Sequence, residues 1–141
     1  MSTDATLANK NFQNNLQWSL LLLRVGVFIV MFVWTLDKFV NPAHSIKIFE
    51  HFYKISGFTD ILAYSLGALQ LILVMAFLFG IKKRLTYGLI LLMHAGSTFS
   101  AYAQYYDAFN NLLFFAAWPM LAACAALYLL READTKFTLG K

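Results

Sequence analysis

The side chains that could do chemistry in this chain are few, and they stand in an apolar background. The densest group is His94, Ser97, Thr98, Tyr102 and Tyr105, which recur at three- and four-residue spacing, with Gln104 extending the sector. That spacing puts them on one face of a helix. Gln70, Tyr64, Trp34 and Trp118 lie at comparable depth in other apolar stretches. A histidine flanked by hydroxyls, an amide and aromatic rings can hold a polar headgroup or relay a proton. The same residue types also serve as packing devices and interface anchors in membrane helices, and Gly96 with Ser100 fits the small-xxx-small pattern. Packing accounts for Ser100 and Tyr105 more readily than for His94 and Gln70, which fall well inside apolar runs.

Arg24 is a second outlier. It sits about seven residues into the first apolar run, roughly 10 Å deep at 1.5 Å per residue. A guanidinium there must snorkel, pair with a carboxylate such as Glu132, or face a bound anion. Asp37 and Lys38 close that run, as a solvated turn or as a polar gate, and His51 follows in the next connection.

Much familiar chemistry is missing. The histidines His44, His51 and His94 form no HxxxH pair, and Cys124 is the single cysteine, so no metal site is expected. No GxSxG, GxGxxG or phosphate-binding glycine loop is present. Cys124 lies among small apolar residues and reads as packing.

The elements that must position these residues follow from composition. Of 141 residues, 60% are hydrophobic and 13% charged, about half the charge of a soluble domain. A spanning helix needs about 20 mostly apolar residues, and the stretches 17–36, 59–81, 85–105 and 111–130 each supply them. Residues 1–16 form a polar segment without the pattern of a secretory signal, and 131–141 form a tail. Between the first two stretches, Pro42 opens a segment with Ile46, Phe49, Phe52 and Tyr53 at helical spacing. The expected fold is all-α: an integral membrane four-helix bundle with a short amphipathic helix in the first outer loop, on the membrane surface or capping the bundle.

Seven loop cations, Lys10, Lys82, Lys83, Arg84, Arg131, Lys136 and Lys141, fall on the side of the termini, against Lys38, Lys47 and Lys54 on the other. That bias places both termini in the cytoplasm. The cations form no stripe, so the lipid bilayer, and not nucleic acid, is the expected partner.

The run Leu23-Arg24-Val25-Gly26-Val27-Phe28, the exit Asp37-Lys38-Phe39-Val40-Asn41-Pro42, then Gly67, Gln70 and Gly80 ahead of Lys82-Lys83-Arg84 resemble the DoxX-like family of small four-helix membrane proteins. The likeness covers about 20–105, and Arg24 and Lys38 are the positions that match. The family often has a glycine before the exit lysine, where this chain has Trp34 to Asp37. The resemblance implies a multi-pass protein of the bacterial inner membrane linked to redox or sulfur metabolism through quinone or a partner oxidoreductase. Three functions stay open. The first is a quinone-associated or redox-partner subunit, with quinone as cofactor, forming a homodimer or larger complex. The second is a small-solute or anion transporter or channel. The third is a non-catalytic assembly factor. In the first two, a pocket open to the outer face would be lined by His94, Gln70, Ser97, Thr98, Tyr102, Gln104, Tyr64, Trp34 and Trp118.

Overall fold

No glycine precedes Gly26 and no proline precedes Pro42, so nothing early in the chain interrupts a helix. The computed structural model, which describes residues 2–140, accordingly shows one helix, α1, over Ser2–Val40. Its 39 residues are about 58 Å long, well beyond the roughly 30 Å of a bilayer core. The polar segment read at 1–16 is therefore the start of this helix, and its residues from Asp4 to Asn15 are all exposed. Met1 and Lys141, the end residues of the two expected terminal segments, lie outside the described residues.

Helix α2, Pro42–Tyr53, follows after a single residue. Pro42 occupies its first turn, the Asn41 side chain accepts from the His44 N–H at 3.4 Å, and Lys54 ends it in the left-handed conformation. Helix α3, Asp60–Leu78, is capped by Thr59, which accepts from the Leu62 N–H. Helix α4, Lys83–Ser100, gives way at Ala101 to a short helix α5, Tyr102–Tyr106. Two 3-10 turns, Ala108–Asn110 and Leu112–Ala116, lead into α6, Ala117–Leu129. Pro119, third in α6, has no N–H to offer the carbonyl four residues back, so the last apolar stretch begins as 3-10 helix.

Helix α1 packs on α3, α3 on α4, α4 on α6, and α6 back on α1. Leu20, Val27, Phe77, Ile90 and Leu127 are buried where they meet. Gly67 permits the close approach of α1 to α3, since a Cβ there would stand 2.9 Å from the Phe39 ring and 3.2 Å from Lys38 Cβ. Outward-facing Leu22, Ile29, Leu69, Ile72, Leu92 and Phe99 are exposed. Apolar surface of that extent belongs to a protein whose solvent is lipid.

Three helical stretches are long and apolar enough to cross a membrane: Asp4–Val40, Asp60–Leu78 and Leu112–Leu129. By this measure the four apolar stretches expected from the sequence become three. Helix α4 falls short because its 18 residues begin on Lys83 and Arg84 and include His94, Ser97 and Thr98.

The two ends of the helix ring differ. Lys82, Lys83, Arg84 and Arg131 gather at one, the basic end, while α2 packs against α1, α3 and α4 at the other, the capped end. The chain beyond α6 folds back over the basic end. The Leu139 N–H donates to Phe79 O at 2.8 Å, and the Lys136 ammonium sits 4.5 Å from the centre of the Trp18 ring. Gly80 makes room for this return. Its φ is +62°, and an added Cβ would meet Thr138 Cγ2 at 2.7 Å. Gly80→Ala is expected to cost about 2 kcal/mol through backbone strain and displacement of Thr138. Thermal unfolding in detergent measures that loss, and faster tryptic cleavage after Lys136 reports the loosened tail.

Candidate functional site

Buried polar residues collect in two places. At the basic end, Arg24 and Asp134 are both fully buried and pair through Arg24 Nη1 and Asp134 Oδ2 at 2.9 Å. Tyr87 joins them: its hydroxyl donates to Asp134 Oδ2 at 2.7 Å and accepts from Arg24 Nη1 at 3.3 Å. Arg24 Nη2 also donates to Lys136 O, and Lys83 Nζ to Asp134 O at 2.6 Å. Arg24 Nε and Asp134 Oδ1 are the atoms left without partners. Glu132, the carboxylate the sequence offered to Arg24, is instead exposed and 3.5 Å from Arg131. The reason is geometric: the turn after α6 brings Asp134 under α1 and points Glu132 away. Arg24 neither snorkels nor stands free for an anion, because its charge is matched inside the fold.

The second place is a cavity of about 1300 Å³ running along α1 from Ser19 to Lys38, with walls from α2, α4, α6 and the middle of α3. The nineteen residue-to-residue rises between them span about 28 Å, close to the thickness of a bilayer core. Its walls are mostly apolar, with Leu23, Val27, Val30, Met93, Met120 and Ala123 among them. Leu22, Gly26 and Val33 of α1 and Ala116 and Pro119 near the start of α6 line it and are themselves exposed. The cavity therefore opens on the flank between α1 and α6, and α2 covers its capped end with Ser45, Ile48, Phe49 and Phe52.

Apart from Ser19, the polar lining gathers in the half nearer that end. His94 is buried, lines the cavity, and has its Nε2 2.9 Å from Ala117 O. A carbonyl only accepts, so Nε2 carries the hydrogen, and in the neutral ring Nδ1 holds the lone pair. Nδ1 is buried with no partner. The Trp34 ring lies 6.0 Å from the His94 ring, centre to centre. Gln70 reaches the cavity from α3 and is also buried. At the rim, Asp37 Oδ2 is 2.7 Å from His44 Nδ1, while Lys38 Nζ donates to Trp34 O at 3.2 Å. Asp37 thus pairs with His44, which the Asn41-Pro42 turn brings back over the end of α1.

The structure thus brings His94, Gln70, Ser97, Trp34, Asp37 and Lys38 to one cavity, and it places the remaining candidates elsewhere. Thr98 is buried but donates to His94 O at 2.8 Å, the usual way a hydroxyl is satisfied inside a membrane helix. Tyr102, Gln104 and His51 line a separate cavity of about 180 Å³. Tyr64 stacks on Phe39 at the outside of the fold, and Trp118 packs against Phe99 and Tyr105 with its face exposed. Sequence reasoning missed Asp134, Tyr87 and His44. Of these, His44 alone left a local sign, one helical turn past the Asn41-Pro42 break. No group of three or more His, Cys, Asp or Glu able to hold a metal gathers among the described residues.

A scan against protein-family models gives no match, and neither curated proteins nor solved structures provide a similar chain.

Proposed function

We propose that the protein is a four-helix bundle of the bacterial inner membrane, both termini cytoplasmic, that binds a quinone-class lipid as a subunit of a redox system. The observation that carries this reading is the shape and polarity of the large cavity. Its walls are mostly apolar, it is open sideways to lipid, and its polar groups, with His94, Gln70, Ser97, Trp34, Asp37 and Lys38 among them, gather toward the capped end. An amphiphile with a flat ring and a long tail suits that division. The tail would lie along α1 and the ring near His94. The basic end, with Lys82, Lys83, Arg84 and Arg131, supports the cytoplasmic placement of the termini. The same features agree with what the DoxX-like resemblance implies. Electrons would pass to a partner protein or second copy, since the buried Cys124 has no second cysteine to pair with.

Anion transport draws less support, because Arg24 is neutralised by Asp134. The test is extraction of protein purified in mild detergent. A quinone is expected in the extract, and His94→Leu combined with Gln70→Leu is expected to lower it roughly tenfold while the protein stays helical. Extracts carrying phospholipid alone overturn the reading.

A further inference from the structure

The basic end carries more positive charge than the fold balances. Asp134 is taken up by Arg24, and Glu132 stands beside Arg131. Asp4 lies about 20 Å before Trp18 along α1, and the remaining carboxylates fall toward the capped end. Lys82, Lys83, Arg84 and Lys136 are thus without a carboxylate partner among the described residues. Lys83 donates to Asp134 O and Lys136 covers the Trp18 ring, while Lys82 and Arg84 are exposed. No acidic residue in the first turn of α4 offsets them.

The returning tail adds apolar surface to the same end. Phe137 and Leu139 are 74% and 76% exposed, on either side of Thr138, which packs at Gly80. Phe137 also holds φ at +51°, a left-handed backbone that an aromatic residue adopts at a cost. The tail lies where the apolar runs end. Leu139 N–H bonds Phe79 O just past α3, and Lys136 sits at Trp18, where the apolar run of α1 begins. Phe79, Ile81 and Leu85 are exposed in and after the adjoining turn and continue the lipid-facing wall. Aromatic and cationic side chains collect at this level because one part of each suits acyl chains and the other suits headgroups.

We infer that the basic end is a docking surface for anionic phospholipid. Lys82, Arg84 and Lys136 meet headgroup phosphates, while Phe137 and Leu139 enter the acyl boundary. Charge complementarity favours this occupant over a second copy of the chain, whose own basic end would repel this one. Arg24 Nη2 donates to Lys136 O, so lipid held at Lys136 also keeps the tail closed over the buried Arg24–Asp134 pair. The inference does not depend on what the large cavity holds.

The test places a nitroxide on Leu139→Cys, Cys124 being buried, in nanodiscs of phosphatidylcholine with and without phosphatidylglycerol. With phosphatidylglycerol the label is expected to collide mainly with dissolved oxygen, and in phosphatidylcholine alone more with a neutral nickel chelate. Unlabelled protein extracted from the mixed discs is expected to retain phosphatidylglycerol in preference to phosphatidylcholine. Lys82→Gln and Arg84→Gln are each expected to lower that preference about fivefold, the worth of one basic residue at a charged membrane surface. Lys82→Arg combined with Arg84→Lys keeps the charge and is expected to keep the preference. A label open to the chelate in both discs, or equally immersed in both, overturns the inference. Retention that ignores the glutamine substitutions overturns it as well. So does a label shielded from oxygen and chelate alike, the sign of a protein partner on this surface.

Discussion

Asp134→Ala is expected to lower the stability of the protein in detergent by about 3–5 kcal/mol, the largest loss from any single substitution considered for this fold. Among the described residues, Asp134 is the only carboxylate paired with Arg24, and both side chains are buried. Removing it leaves a guanidinium fixed in the interior with Tyr87 and the Lys136 carbonyl as its remaining partners. Arg24→Leu leaves the converse problem, a buried carboxylate held by Tyr87 alone among side chains. The double variant Arg24→Leu, Asp134→Leu removes both charges and is expected to be more stable than either single variant, since an apolar replacement of a buried pair is often neutral. Thermal or SDS-induced unfolding of the four proteins in one detergent supplies the cycle. Asp134→Ala unfolding like the parent would show that the pair does not hold the tail to α1.

That pair also marks where sequence reasoning stops. Arg24 was conspicuous as a charge in an apolar run, yet its partner lies more than a hundred residues away in a segment that reads as a solvated tail. Nothing local separates Asp134 from Glu132. What separates them is the direction each takes once the chain turns back under Gly80, a tertiary fact. Elements governed by local rules were legible: Pro42 announced α2, and the apolar runs announced α1, α3 and α6.

The polar stripe was legible only in part, for a reason of phase. His94 and Ser97 keep the helical period and reach the cavity together. Helix α4 ends at Ser100, however, so the period does not carry through Ala101, and Tyr102 and Gln104 turn toward a different cavity. The helical start of α1 was legible in retrospect. Polar composition set residues 1–16 apart as a separate terminal segment, but without glycine or proline a helix that has been nucleated by packing farther along simply continues.

Gly26→Leu is expected to leave the fold intact while weakening a long-tailed ligand roughly ten- to hundredfold. Gly26 lines the open flank of the cavity, and a Cβ built there meets no atom within 4 Å. Replacing a mid-helix glycine relieves a backbone penalty of about 0.5–1 kcal/mol, so stability is expected to hold or rise slightly. The effect on binding is steric. A tail already dissolved in lipid gains little hydrophobic free energy by moving into an apolar groove, so the groove contributes by fit, and crowding a fitted apolar space costs about 1–3 kcal/mol. By the conversion of free energy to affinity, that is the stated range. Gly26 stands eight residues from Trp34, about 12 Å along α1, too far to touch a ring seated near His94. A headgroup carrying only a methyl tail is therefore expected to bind Gly26→Leu as it binds the parent. Equal weakening of short- and long-tailed probes would place the tail somewhere other than the flank between α1 and α6.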